Sequence, residues 1–260
     1  MSDNPAVGFP LDDYLKRIGL PAATLSGLDR GETVATLARA QHRRIPFENI
    51  DIHRGRVVTT DPAALVDRLI HGRRGGICYE VNGLLALALG ALGVPARLYG
   101  ARVDPGAGFG LPRGHVAVGI PAGGGRVQLA DVGFSGELIL GGFDPDLPET
   151  WTMTSGPARY RLDPEPVPAD GFAEMARWQS TAARSRFTGS VICTLPTRAG
   201  RRTLAGRIDP AGRTVAYRLI SADGDRRTER PLTVSAATAQ LAGTFGMAVT
   251  APSRSRPAQA

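Results

Sequence analysis

Arg73-Arg74-Gly75-Gly76-Ile77-Cys78-Tyr79-Glu80-Val81-Asn82 is the stretch on which the reading of this chain turns. A cysteine follows a Gly-Gly turn and opens an apolar run, Val81 to Leu92, that reads as a long helix. Glycine lets a backbone turn sharply and approach its neighbours closely. The first turn of a helix carries unpaired N–H groups and partial positive charge, which favour thiolate over thiol. A thiol placed there is suited to nucleophilic attack. The plain alternative is a small residue buried at a helix start.

Upstream, Leu11, Tyr14, Leu15 and Ile18 fall at helical spacing, and a second helix is expected over Thr33 to His42. Arg44-Ile45-Pro46-Phe47-Glu48-Asn49-Ile50-Asp51 reads as extended or turn, because Pro46 turns its predecessor away from helix. Asp61-Pro62 is an N-cap followed by a first helical residue, and that helix runs to about Ile70. The first ninety or so residues thus form a helical unit with Cys78 on its last helix.

Beyond Pro95 the pattern changes to period two. Strands are expected at 96–103, 115–120 and 126–132, the last two joined by a hairpin turn over Ala122 to Gly125. Gly133 to Gly142 reads as a turn-rich connection, and Trp151 to Leu162 as room for one strand. Asp163 to Asp170, DPEPVPAD, is too rich in proline for a central strand. A short helix is expected over Phe172 to Trp178. Strands return at 191–195, 202–208, 214–220 and 230–234, followed by a helix capped by Ser235 and a loose Pro/Ser/Arg tail from about residue 251. The fold class is α+β, divided as 1–93, 94–189 and 190–260.

Composition narrows the function. The two cysteines, Cys78 and Cys193, make neither a disulfide framework nor a metal ligand set. Cys193 lies in the alternating run Val191 to Leu195 and reads as a buried strand residue. The net charge is +7, carried almost wholly by arginine, Lys16 being the only lysine. The arginines are scattered without a basic stripe or interleaved aromatics, so nucleic acid is not an expected partner, although an acidic protein would suit such a surface. No run is long and apolar enough for a membrane span. The acidic N-terminus does not resemble a secretion signal, so the expected location is the cytoplasm.

Three residues make a chemical constellation: Cys78 as nucleophile, His115 as its base, and Asp131 to orient and stabilise the imidazole. His115 opens one strand and Asp131 closes the strand that returns beside it, so antiparallel pairing brings them together. Taken singly, each has an ordinary reading: a buried cysteine, a satisfied histidine, a turn aspartate.

These residues carry a resemblance. Arg44-Ile-Pro-Phe-Glu-Asn49, Arg74-Gly-Gly-Ile-Cys-Tyr-Glu-Val-Asn82, His115 with its apolar strand, Asp131-Val-Gly-Phe134, and Ser180-Thr181 through Phe187 resemble the arylamine N-acetyltransferase family along most of the chain. The resemblance implies a helical bundle, a β-barrel and an α/β lid. It implies a ping-pong reaction in which Cys78 takes an acyl group from a thioester and passes it to an aromatic amine or hydrazine. No cofactor stays bound; the acyl donor is acetyl-CoA or a carrier-protein phosphopantetheine thioester. Arg74, Gly75, Gly76, Glu80 and Asn82 would support the motif, Arg74 and Glu80 as buried ion-pair partners. Phe47 and Phe134 would contact substrate, and the Cys78 backbone N–H would help to form an oxyanion site.

Three departures from the family pattern are visible. Ser135 stands where a glycine usually follows Asp-Val-Gly-Phe, the segment Ser180 to Phe187 lacks the family's usual proline, and the stretch from Tyr160 to Trp178 is short. Missing strands there would open the cleft to a larger acyl group. That points to the macrolactam-forming amide synthases of ansamycin-type polyketide pathways, with an acyl carrier protein as partner. Small-molecule acetyltransfer is the alternative, and a cysteine hydrolase a more distant one.

Overall fold

The apolar run behind Cys78 forms a helix that is buried on nearly every side, and the rest of the chain is arranged around it. In this computed structural model, residues 8–155, 158–209 and 211–253 are described. Leu11–Ile18 (α1) ends at Gly19, whose φ of 67° a glycine adopts freely. Arg30–Arg44 (α2) starts from a reciprocal cap between Asp29 and Glu32. The two-residue strand Phe47–Glu48 (β1) follows. Pro62–Leu65 (α3), capped by the Asp61 side chain, continues as a π-helical turn over Val66–His71. Cys78–Ala91 (α4) begins at the cysteine itself, three residues before the expected Val81. Tyr14, Ile18, Leu37, Leu84 and Ala88 form the bundle core, which continues into Val118, Ile120, Ala130 and Val132 of the adjoining sheet. A helix apolar on all faces belongs at such a centre.

That sheet consists of Arg97–Asp104 (β2), His115–Pro121 (β3), Val127–Phe134 (β4), Glu137–Phe143 (β5), Thr152–Ser155 (β6) and Ala158–Pro166 (β7). Its order is β5-β4-β3-β2-β7-β6, antiparallel throughout, and β5 approaches β6 so that the sheet nearly closes into a barrel. Ala173–Thr181 (α5) follows. The last unit is Ser190–Pro196 (β8), Gly200–Ile208 (β9), Thr214–Asp223 (β10), Arg226–Leu232 (β11) and Val234–Gly243 (α6). The sheet order β1-β8-β9-β10-β11 brings Phe47 and Glu48, from the helical part of the sequence, onto its edge. Ala237, Leu241 and Phe245 pack over Val191, Cys193, Leu204 and Tyr217 to make a separate core. No helix among the described residues is long and apolar enough to cross a membrane.

Several sequence expectations are corrected. The turn-rich connection contains strand β5, because Leu138-Ile139-Leu140 alternates in burial although glycines flank it. The stretch Trp151 to Leu162 holds parts of two strands. Strand β7 runs on through Asp163-Pro164-Glu165-Pro166, a stretch judged too proline-rich for such a position. A register shift absorbs it: Ala101 faces Leu162 while Tyr99 faces Pro166, so the prolines sit in a bulge. The cap of α6 is Thr233, whose hydroxyl accepts from Ala236 N–H, not Ser235. Past residue 250 the chain stays packed: Ala251 is buried, Tyr217 Oη donates to Pro252 O, and Thr214 N–H to Ser253 O. The rest of the expected loose tail, residues 254–260, lies outside the described residues, as do residues 1–7.

Candidate active site

The Gly-Gly turn is dictated by a close approach of two backbones. Glu48 N–H donates to Gly76 O and Gly76 N–H to Pro46 O, which lays the turn along β1. A Cβ on residue 75 would lie 2.1 Å from Pro46 O, so no larger residue fits. Ile77 then leads into α4, its N–H donating to Glu80 Oε2 at 3.0 Å. Cys78 is thereby fixed at the positive end of α4.

Beneath the turn lies a buried ion network. Arg74 donates to Glu48 Oε1 at 2.7 Å and Asp51 Oδ1 at 2.9 Å. Arg68 reaches Glu48 at 3.3 Å and Asp51 at 3.1 Å, and closes a short contact with Glu80. Burial lifts the Glu80 carboxyl above its ordinary pKa while Arg68 opposes the lift. Burial likewise disfavours the Arg68 cation, but the surrounding carboxylates hold its pKa above the ordinary value. Arg74 and Glu80 stand where the motif places buried ion-pair partners; Arg68 and Asp51, which complete the network, were not anticipated. A cavity of about 530 Å³ lies over this network, lined by residues such as Arg54, Arg56, Val57 and Arg68. It includes none of Cys78, His115 and Asp131.

On the other side of Cys78 the barrel supplies the histidine and the aspartate. His115 Nε2–H donates to Asp131 Oδ2 at 2.7 Å, and the Cys78 side chain lies close enough to the same ring to favour its protonated form. The paired strands do bring His115 and Asp131 together. All three are buried, with exposures of 3%, 3% and 0%. Asp131 Oδ1 accepts from Asn82 Nδ2 and Gly133 N–H, each at 2.8 Å. Asn82 also donates to Val116 O at 2.7 Å and accepts from Val132 N–H at 3.0 Å. One amide on α4 thus ties both barrel strands to the helix that carries Cys78.

Burial would lower the His115 pKa, but Asp131 beside it, helped by Cys78, outweighs burial and raises it to about 10. Burial likewise opposes ionisation of Asp131, yet His115, Asn82 and Gly133 hold its pKa below the usual carboxylate range. The shift favours the protonated imidazole at neutral pH, held between Asp131 and the Cys78 side chain. A group with a raised folded-state pKa contributes stability that is complete below its ordinary value and lost as pH rises through the shifted one. The interval here runs from 6.5 to about 10. The thermal midpoint of the wild-type protein is therefore expected to fall across this interval, and a His115→Ala protein to show a flatter profile, both read by calorimetry.

The surroundings of the triad are aromatic. Phe134 meets the His115 ring edge-on at 5.2 Å, and Tyr160 lies 4.8 Å from the same ring. The Tyr160 hydroxyl sits against Asp131 without a hydrogen-bond partner among the described residues. Phe47 packs on Phe187 at 6.1 Å and joins Ile77, Val116, Phe172 and Ala176 in the apolar cluster around Cys78. Both expected substrate contacts, Phe47 and Phe134, thus border the triad. Phe172 and Ala176, at and after the start of α5, are buried in the same apolar cluster as Cys78, whose own exposure is 3%. Val58 N–H donating to Ser180 Oγ at 2.9 Å holds α5 in place. The Tyr160 ring against His115 and the bond from Val58 to Ser180 join residues far apart in sequence, so no local pattern could announce them.

Gly133 shows how closely helix and barrel meet. A Cβ there would lie 2.8 Å from Cys78 Cα and 2.9 Å from Val81 Cγ2. Gly133→Ala is expected to cost about 1–3 kcal/mol of stability, as overpacking does. It should also slow alkylation of Cys78, and urea unfolding with timed iodoacetamide labelling measures both. Cys193 stays apart, fully buried on β8, where burial lifts its thiol pKa far above the ordinary value. Among the described residues no cluster of His, Cys, Asp or Glu could hold a metal ion.

A family model described as N-acetyltransferase matches residues 32–141, which include the turn, His115 and Asp131. The arylamine N-acetyltransferase of Mycobacterium tuberculosis is 32% identical over 247 residues, covering 82% of this chain and 84% of the relative. Arylamine N-acetyltransferase 2 of Mus musculus is 27% identical over 252 residues, covering 81% and 84%. Among solved structures, the arylamine N-acetyltransferase from M. tuberculosis aligns with a TM-score of 0.73 at 26% identity, over 92% of this chain and 93% of that one. An arylamine N-acetyltransferase from Bacillus cereus, described as having a Cys-His-Glu triad, aligns with a TM-score of 0.75 at 18% identity, over 96% and 100%, and speaks to the fold alone. The shared fold and the extent of sequence identity place this chain in the arylamine N-acetyltransferase family, and it is an acyltransferase.

Proposed function

We propose that Cys78 accepts an acetyl-sized acyl group from a thioester, of which acetyl-CoA is the nearest example, and delivers it to an aromatic amine. The observation that carries this reading is the buried chain Cys78–His115–Asp131, with the 2.7 Å bond between the last two. The Cys78 sulfur attacks the thioester carbonyl and forms a new C–S bond. The developing oxyanion faces the N-terminal end of α4, where the Cys78 N–H is a donor. Collapse breaks the original C–S bond, and the departing thiolate takes the proton held on His115. The neutral imidazole then removes a proton from the incoming amine as its nitrogen attacks the acyl-enzyme. The Cys78 thiolate leaves and the imidazolium pair is restored. Asp131 keeps the ring oriented in both halves. Phe47 and Phe134 offer flat apolar surface to an aromatic acceptor. Two free cysteines and a thiolate nucleophile suit a reducing cytoplasm.

The macrolactam-forming reading would use a carrier-protein thioester, an acyl carrier protein as partner, and an amine on the acyl chain itself. It needs space at the thiol for a long chain, and the near-complete burial of Cys78 supports the smaller group. Parallel reactions with acetyl-CoA and with a long aryl-chain N-acetylcysteamine thioester distinguish the two. Acetyl-CoA is expected to acylate the protein the faster; acylation by the long donor alone would overturn the proposal.

A further inference from the structure

The turn between β4 and β5 is where bundle, barrel and lid meet. Phe134 pairs across it with Glu137. Its central residues both have positive φ, 54° at Ser135 and 84° at Gly136. Tight hairpin turns demand that, and glycine meets the demand freely whereas serine resists it through its Cβ. At residue 136 a Cβ would lie 2.4 Å from Thr194 Cγ2, so the turn is also pressed against β8. Two side chains from other layers grip its carbonyls. His42, near the end of α2, donates from Nε2 to Gly136 O at 2.7 Å. Arg201, near the start of β9, donates to Ser135 O at 3.4 Å and pairs closely with Glu137.

We propose that His42 and Arg201 are positioning residues for acyl transfer: they hold the strained Ser135–Gly136 turn and, through Phe134, the His115 imidazole. The proposal rests on the reading of Cys78 and His115 as the reacting pair. Their hydrogen bonds and ion pair go to the turn and to Glu137, not to Cys78, His115 or Asp131. Strained backbone persists only where its surroundings over-determine it, and such places gather at active sites. With one grip removed, Ser135 can leave the left-handed region. Phe134 is its neighbour and then loses its edge-on packing against His115. The ring retains Asp131 but is no longer fixed toward the Cys78 sulfur.

The test uses His42→Ala and Arg201→Ala, each alone and each combined with Ser135→Gly. Two rates are measured on the full chain: acylation of Cys78 by acetyl-CoA, and iodoacetamide alkylation of Cys78 across pH, both located by peptide mass. Each single variant is expected to lower both rates about tenfold, while the apparent affinity for acetyl-CoA changes by less than about twofold. Adding Ser135→Gly, which keeps the turn without the grips, is expected to bring both within about twofold of wild type. General loosening of the fold would not be repaired by that one glycine. Arg201 is partly exposed, so its variant carries the test if His42→Ala does not fold. Alkylation needs no acyl donor; a wild-type protein alkylated at Cys78 but not acetylated by acetyl-CoA would count against the acetyl reading and leave the clamp to be judged on alkylation. Wild-type rates in both single variants, or no recovery with Ser135→Gly, would overturn the proposal.

Discussion

Cys78→Ala is expected to abolish acyl transfer from thioester to amine, with a loss of about 10,000-fold or more. The reason is the isolation of the site. His115 and Asp131 survive the change, but without the sulfur neither can form the covalent intermediate that divides the reaction in two. The second thiol cannot substitute: Cys193 is fully buried on β8, across from Glu48, in a separate core. The side-chain change is small and Cys78 sits in an apolar cluster that an alanine also fits, so the variant should remain folded. Product formation followed by chromatography of the acylated amine, with circular dichroism as a control for folding, is the measurement. Retention of more than about one hundredth of the wild-type rate would contradict the nucleophile assignment.

The second large effect concerns stability. Arg68→Ala is expected to destabilise the protein by about 3–5 kcal/mol, the usual result of removing one partner from a buried ionic cluster. Its side chain is 14% exposed and contacts Glu48, Asp51 and Glu80. Without it, Glu48 and Asp51 would share Arg74 alone and the buried Glu80 carboxylate would lose its Arg68 partner. The three acids come from β1, the segment after it, and α4, so the network pins the Gly-Gly turn between them. Glu80 also caps the Ile77 N–H, so its displacement would disturb the start of α4 and with it Cys78. Urea unfolding gives the stability change. A loss below about 1 kcal/mol would mean that the cluster behaves like exposed surface pairs. Arg68→Met, which retains bulk without charge, should be nearly as destabilising, because the acids are then uncompensated in the same way.

The triad was the most legible part of the sequence, and for physical reasons. Cys78 stood at a glycine turn before an apolar helix, and His115 and Asp131 stood at matching ends of a hairpin. Each position follows from local periodicity plus one pairing rule. Asn82 was visible only as a neighbour within the motif; its role as a tie among α4, β3 and β4 appears once Asp131 and Val116 surround it. Arg68 gave no signal, since an arginine on a helix is ordinarily solvated. Glu48 and Asp51, close together in an apolar segment after Pro46, were the available hint that a buried cation was needed. Strand β5 was hidden because its alternation, Leu138 to Leu140, is bracketed by Gly133, Gly136, Gly141 and Gly142. Strand β7 was hidden because a bulge tolerates prolines that a regular ladder would not. The packing of Phe172 and Ala176 into the cluster that holds Cys78 required knowledge of where α5 packs, which is a matter of tertiary contact rather than periodicity.

The central claim is that the acyl group passes through the sulfur of Cys78 and that His115 makes this possible. The direct measurement is intact-protein and peptide mass spectrometry after brief mixing with acetyl-CoA in the absence of amine, using wild type, Cys78→Ala and His115→Ala. The expected result is a single added acetyl group in the wild type, located on the peptide containing Cys78 and removed when an aromatic amine is added. Cys78→Ala should gain none, and His115→Ala none on the same time scale. An acetyl group found on any other residue, or one on Cys78 that forms equally fast without His115, would contradict the account.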